Sequence, residues 1–221
     1  TTKIRSFEKG LLFNDREFVG VLNEGRRWFF DPLGKIRVYV VSQRAPWLET
    51  SVLDVIVKSG LLGGDATVID VKDSQRALVW IDGRFDRALG PGTYAAWNTE
   101  KVIRVEMVDA REDLFENVEF NTIVKSASAK ELLDLFEIED GKRGVLFRGG
   151  KRVATLDPGQ YAAWKNTGKT KVYQRDVREK TLDVAGQEIM TADKVTLRLN
   201  AIAAYRVTDV VKAVETAVDV E

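Results

Sequence analysis

Acids, amines, guanidinium groups and hydroxyls are the side chains with which this sequence could do chemistry, because its 221 residues include no His and no Cys. Their absence removes imidazole bases, thiolate nucleophiles, disulfides and most zinc or transition-metal sites. Hydrolysis would have to run on two carboxylates about 5 to 10 Å apart, one as general acid and the other as nucleophile or base. The 34 Asp and Glu residues are spread along the chain, and no spacing singles out such a pair. Asp109 and Asp176 occupy equivalent places, but each precedes an Arg by two positions, Arg111 and Arg178, which is the pattern of a structural ion pair or a turn cap. Gly63-Gly64 and Gly149-Gly150 lack the Gly-x-Gly-x-x-Gly or Gly-Lys-Ser/Thr context that opens a phosphate-binding helix. No catalytic residue, metal site or cofactor is therefore expected. A carboxylate-based carbohydrate enzyme, with two acids in a Trp-lined cleft, stays open as an alternative.

Lys plus Arg and Asp plus Glu each total 34, so the net charge is zero. The two signs alternate along the chain, whereas a nucleic-acid footprint needs a basic excess; no nucleic acid is expected as a partner. The 44% hydrophobic content is enough to fill real cores. Its longest apolar runs, such as Val38 to Val41 and Ala201 to Tyr205, fall far short of the roughly 20 residues that span a bilayer. The chain begins at Thr1 rather than Met and ends within an apparent helix, as an excised fragment does.

The elements that would position any site recur every 67 residues: Leu-x-x-Gly followed by an aromatic segment stands at Leu22/Gly25, Leu89/Gly92 and Leu156/Gly159. Between Ala77 to Trp97 and Gly144 to Trp164, eight of 21 positions are identical, including Pro91 with Pro158, Tyr-Ala-Ala, and Trp97 with Trp164. Chance would give about one match. Arg44, Arg111 and Arg178 share the offset, as do Ile56-Val57-Lys58-Ser59 and Ile123-Val124-Lys125-Ser126. This spacing predicts units at 1–72, 73–139 and 140–221.

Within a unit the pattern is mostly β. Val145 and Phe147, then Val153 and Leu156, flank Gly149-Gly150, and Asp82-Gly83 is the counterpart one unit earlier; both dipeptides allow the positive φ of a tight hairpin. Gly90-Pro91-Gly92 and Asp157-Pro158-Gly159 predict type II turns. Ile36, Val38 and Val40 share one strand face, as do Ile103, Val105 and Met107. Short helices are expected near 50–59 and 116–126, and returning strands at 66–72 and 132–139. In the third unit Lys194 to Leu199 alternates at period two and predicts a longer hairpin. After Asp209, Val210, Ala213, Val214, Ala217 and Val218 form an amphipathic helical stripe. The expected class is α+β, predominantly β.

Gly144-Val145-Leu146-Phe147, Leu156-Asp157-Pro158-Gly159, Asp176-Val177-Arg178-Glu179, the run Leu182 to Val195 and Tyr205-Arg206-Val207-Thr208-Asp209 point to a family. From about residue 140 the sequence resembles the start of the domain shared by stomatins, slipins, prohibitins and flotillins, the SPFH or Band 7 domain, and it is most like a bacterial slipin. The resemblance implies a non-enzymatic scaffold, peripheral on the cytoplasmic side of a membrane in the full-length protein. It also implies self-association, contact with membrane lipids, and a membrane protease as partner. The family's N-terminal anchor and coiled coil are not among these residues, so the fragment itself is expected to be soluble. The rival reading is a cytosolic repeat protein that binds a peptide or ligand without meeting a membrane.

Among the tryptophans Trp28, Trp47, Trp80, Trp97 and Trp164, the equivalent pair Trp97 and Trp164 predicts repeated core packing. With Gly25, Gly92, Gly159, Pro91, Pro158, Arg44, Arg111 and Arg178 they define the repeat. Trp47 and Leu48 either dip into a lipid interface or cap an adjoining unit. Leu61 and Leu62 form a short apolar loop, a candidate contact for membrane or partner.

Overall fold

The computed structural model describes residues 1–165 and 168–216. In chain order the first elements are β1 (Thr2–Ile4), β2 (Glu8–Asn14), β3 (Glu17–Leu22), β4 (Gly25–Arg27), β5 (Ile36–Ser42) and helix α1 (Leu53–Ser59). Next come β6 (Ala66–Val71), β7 (Gln75–Ile81), β8 (Arg84–Leu89), β9 (Gly92–Trp97), β10 (Ile103–Asp109), and helices α2 (Phe120–Lys125) and α3 (Ala127–Leu132). The last are β11 (Leu133–Ile138), β12 (Lys142–Arg148), β13 (Lys151–Leu156), β14 (Gly159–Trp164), β15 (Thr170–Asp176), β16 (Lys180–Met190), β17 (Thr196–Tyr205) and helix α4 (Val210–Glu215). The protein is therefore predominantly β with a few short helices.

Three strand sets share one connectivity. Each has a three-stranded antiparallel sheet, β3-β2-β5, β8-β7-β10 or β13-β12-β15, and a separate antiparallel pair, β1-β4, β6-β9 or β11-β14. The local chemistry explains the match. Asp15-Arg16, Asp82-Gly83 and Gly149-Gly150 all take positive φ at both positions, as the two-residue turns that follow the natural strand twist require. Asp15-Arg16 escapes a search for Gly, since an Arg at φ 72° is uncommon. One residue pair beyond each turn the register shifts, at Leu12/Phe13, Val79/Trp80 and Leu146/Phe147.

The Pro-Gly corners differ from expectation. Gly92 and Gly159 lie at φ 146° and 151°, beyond the roughly +80° of a type II turn, and Gly25, in a corner without Pro, lies at 133°. Glycine is still required there, and in the later two corners a Tyr hydroxyl bridges the gap: Tyr94 Oη donates to Gly90 O at 3.2 Å and Tyr161 Oη to Asp157 O at 2.9 Å.

By compactness the chain divides in two. Unit 1 is Thr1–Arg111 with Val118–Leu132, and unit 2 is Glu112–Asn117 with Leu133–Glu221. The boundary expected at 72/73 lies inside unit 1, and that expected at 139/140 falls between β11 and β12. Two of the apolar clusters among the described residues lie in unit 1. One gathers Leu11, Phe13, Leu48, Ile56, Leu62 and Trp97 around α1; the other gathers Trp47, Ile69, Val71, Ala77, Val79 and Leu89 between β6 and β7. In unit 2 the cluster is Ile138, Leu146 and Leu156, with Phe136, Tyr161 and Val172 against it. α4 packs on β12 and β15, and its first turn is capped by Asp209, which accepts from Lys212 N at 3.0 Å. Ala217 and Val218, expected to extend that helix's stripe, lie outside the described residues.

One close approach sets the inner volume of each set. A Cβ added to Gly10 would lie 2.6 Å from Ile4 Cδ1, and one added to Gly144 would lie 2.5 Å from Ile138 Cδ1. The middle set has Ala77 and Val71 at these places, in one buried cluster. The methyl gained at one position is a methylene lost at the other. Gly144→Ala is expected to destabilise the fold by about 1–2 kcal/mol through overpacking. Ile138→Val alone costs about 1 kcal/mol. Urea unfolding of the double variant should show clearly less loss than the sum, by about 0.5 kcal/mol or more; strict additivity would refute the shared-volume account.

Candidate functional site

The recurrent Arg residues close the strand ends. Arg111 donates to Asp109 through its backbone N at 2.8 Å, Nε at 3.0 Å and Nη2 at 2.6 Å. Arg178 repeats this on Asp176 at 3.0, 3.0 and 2.7 Å. The side-chain bonds first, and the backbone bond second, pull the Asp109 carboxyl down to about 2. The same causes hold Asp176 far below the usual carboxylate range, and the side-chain bond to Asp176 together with its negative charge raises Arg178. Groups this firmly ionised are structural clamps, poor donors of a proton at neutral pH. Arg178 also lies against Gly141, where a Cβ would meet its Cδ at 2.8 Å. In the first set Ser42 replaces the Asp, accepting from Arg44 N at 3.3 Å, and the Arg44 guanidinium stacks over Phe7, 4.1 Å from the ring centroid.

Most residues expected to face a membrane or partner are interior. Trp47 is 7% exposed; its Nε1 donates to Asp86 Oδ2 at 2.9 Å, and Arg87 lies 4.5 Å from its ring centroid. Leu48 and Leu62 are buried in the cluster around α1. Burial of that apolar area against Ile56 and Trp97 outweighs any use as a surface contact. Of the four, Leu61 is exposed. Trp97 and Trp164 are buried, as core packing requires, and Phe115 meets Trp164 edge-on at 5.0 Å.

Segments preceding the second and third sets seal their inner pairs. Residues 46–48 run antiparallel along β9, with Trp47 opposite Ala96, Leu48 N donating to Ala95 O at 2.9 Å and Trp97 N donating to Pro46 O at 2.8 Å. In unit 2, Phe115 N donates to Ala162 O at 2.8 Å in the same register. Ala95, Ala96, Ala162 and Ala163 lie beneath, all buried.

The exposed apolar surface is elsewhere. In unit 1, Trp28 is 78% and Phe30 92% exposed, with Leu33 beside them. Asp31 fixes this loop by accepting from Lys35 N and Ile36 N at 2.9 and 2.8 Å, and those backbone bonds lower its pKa. Phe30 holds the position of Trp97 and Trp164, a place that reads as core in the sequence. The available signal was Trp28-Phe29, two bulky residues where the other sets have Ala-Ala.

In unit 2 the β16–β17 ribbon pairs Leu182 with Ala203, Val184 with Ala201 and, past a bulge at 185–186, Ile189 with Leu197. The bulge restores side-chain parity, so Tyr205, Leu182, Val184, Leu199, Ile189 and Leu197 form one apolar face, all exposed. The opposite face is mixed: it carries Thr181, Asp183, Glu188 and Arg198 together with Ile202 and Met190, which are also exposed. A recess of about 520 Å³ in the same unit is lined by Phe147, Lys169, Lys171, Tyr173, Val214 and Glu215, with one carboxylate among them. Among the described residues no cluster of acids is arranged to hold a metal ion, and no helix is long and apolar enough to cross a membrane.

The family model described as SPFH domain / Band 7 family matches residues 136–221. An uncharacterised protein of Archaeoglobus fulgidus is 39% identical over 77 residues, 35% of this chain and 30% of its own length. Stomatin homologues of Pyrococcus horikoshii and Pyrococcus abyssi are each 38% identical over 77 residues, 35% of this chain and 28% of theirs. The chain thus spans under a third of these curated relatives. No solved structure matches it.

The Asp-x-Arg clamps make a pH-dependent contribution to stability. The folded pKa is depressed, so the contribution is complete above roughly pH 4, where unfolded Asp ionises, and is lost as pH falls through the folded value of about 2 for Asp109. Asp109→Asn should therefore cost more stability at pH 6 than at pH 3 in guanidinium melts. A penalty of equal size at both would contradict the clamp.

Proposed function

Because residues 136–221 match the SPFH domain / Band 7 family model, we propose that this protein is a non-enzymatic, membrane-associated scaffold of the stomatin type. Its units build assemblies beside the bilayer and organise local lipids and proteins. The observation that carries the reading is the largely apolar face of β16–β17, with Lys180 and Gln187 among its apolar residues, which lies inside the family segment and is exposed. A two-stranded ribbon is marginal alone, and an exposed apolar face of this kind marks a contact surface. The stomatin homologues of the two Pyrococcus species support the choice of subfamily, and the slipin branch, a bacterial setting, self-association and a membrane protease partner belong to the same proposal.

The three strand sets are successive copies of one module. Their common connectivity, turn positions and register shifts support duplication. The first two are β modules placed ahead of the family segment, joined by α1 and by α2 with α3.

Fractionation of the native host cell tests the membrane assignment. The protein should sediment with membranes at physiological salt and be released by alkaline carbonate, as a peripheral protein is. Recovery wholly in the soluble fraction, before and after chemical cross-linking, would rule the assignment out.

A further inference from the structure

We infer that the middle strand set holds a peptide-binding site, in which an extended segment of a partner protein adds a strand along the open seam between β6 and β10. Both edges of the seam are unpaired: among the described residues β6 pairs with β9 alone, and β10 with β7 alone. The bonds at the strand ends fix which backbone groups face the seam. Asn98 N donates to Asp65 O at 3.0 Å, so by alternation Thr67, Ile69 and Val71 bond β9, and Val68 and Asp70 turn their N–H and C=O groups outward. Asp82 N donates to Val102 O at 3.0 Å and Ala110 N to Ser74 O at 2.8 Å, so Val105 and Met107 turn theirs outward from β10.

Between these two edges lies a recess of about 410 Å³ lined by Val68, Ile69, Asp70, Gln75, Val105 and Met107. Ile69 and Val105 belong to the apolar cluster beneath it, and Met107 is exposed. Free strand edges beside an apolar recess suit strand addition, in which main-chain bonds hold the peptide and alternate side chains enter the recess. The Asp70 carboxylate at the rim is paired with Lys72, so the site favours a neutral, apolar segment over a charged one.

What fills the corresponding seam of the third set identifies the occupant. There Gln174, on β15, reaches across to β11: its Nε2 donates to Glu137 O at 2.7 Å, and its Oε1 accepts from Glu139 N at 3.4 Å. A carboxamide carries the donor and acceptor of a peptide group, so this seam is closed by a surrogate for one residue of an added strand. Along the 67-residue spacing Gln174 corresponds to Met107, and Glu137 and Glu139 to Asp70 and Lys72. A thioether supplies no donor and only a weak acceptor, and Lys72 N donates to Gln75 Oε1 at 3.4 Å instead. One side-chain difference thus leaves the middle seam open to a peptide.

The proposal adds a binding site to the scaffold reading, and membrane fractionation does not depend on it. It is tested with the whole chain and an end-capped peptide of alternating Val and Thr, about eight residues long so as to match a strand. In amide NMR spectra the signals of Val68, Asp70, Val105 and Met107 should move as the peptide is added. Methylating alternate peptide nitrogens, which removes strand donors and keeps the side chains, should weaken binding about tenfold or more. Met107→Gln supplies the missing carboxamide and should weaken binding about as much, whereas Met107→Leu should leave it within about twofold; circular dichroism checks that both variants fold. Gln174→Met should open the other seam, so that the amides of Leu135, Glu137 and Val172 respond to the peptide as well. Equal binding of the N-methylated peptide would overturn the proposal and make the recess a general apolar site. Binding untouched by Met107→Gln, or no shift at millimolar peptide, would overturn it too. So would a chain that dimerises without peptide and loses the dimer in Met107→Gln, which would make the occupant a second copy.

Discussion

Everything in this fold hangs on how closely the opening strand of each set approaches the centre of its three-stranded sheet. At Gly10 and Gly144 the backbone must leave room for the tip of an isoleucine, and at Ala77 the facing residue is a valine. With that separation held, the opening strand can pair with the strand after the Pro-Gly corner, as β6 does with β9 and β11 with β14. That pairing in turn presents two alanines and a Trp to whatever comes next. Packing at interior density leaves no slack for a larger residue at either place, so one steric constraint propagates from a glycine to the edge of the sheet.

A strand with unpaired backbone groups and apolar side chains has to be covered. Here the covering segment comes from the stretch preceding the second and the third set, at 46–48 and at 115. Burial of Trp47, Leu48 and Leu62 follows directly, for these residues seal internal strands. The exposed apolar residues include instead Trp28, Phe30 and Leu33 in unit 1 and Leu182, Ile189, Leu197 and Leu199 of the β16–β17 ribbon in unit 2. The charged residues, balanced at 34 of each sign, meanwhile serve locally: Arg111 and Arg178 clamp the ends of β10 and β15, and Asp31 ties down the aromatic loop.

Much of this was legible in the linear chain because turn chemistry and strand alternation are local. Asp82-Gly83 and Gly149-Gly150 announce their hairpins, Lys194 to Leu199 announces the ribbon, and the resemblance after residue 140 agrees with the Band 7 match. The family segment and the 67-residue spacing both came from residue identities alone. Asp15-Arg16 stayed hidden because its positive φ is imposed by the strands on either side rather than by glycine.

What the sequence determined by itself, then, is the predominantly β character, the spacing of the elements and the lack of imidazole or thiol chemistry, all properties of residue types and their intervals. Only the tertiary structure decided which apolar residues are covered. Trp47 and Phe30 look alike as isolated aromatics, yet one is sealed by Ala96, Asp86 and Arg87 while the other lies open. The difference arises because burial depends on what a distant segment brings to the same strand, and hydropathy along the chain does not encode that.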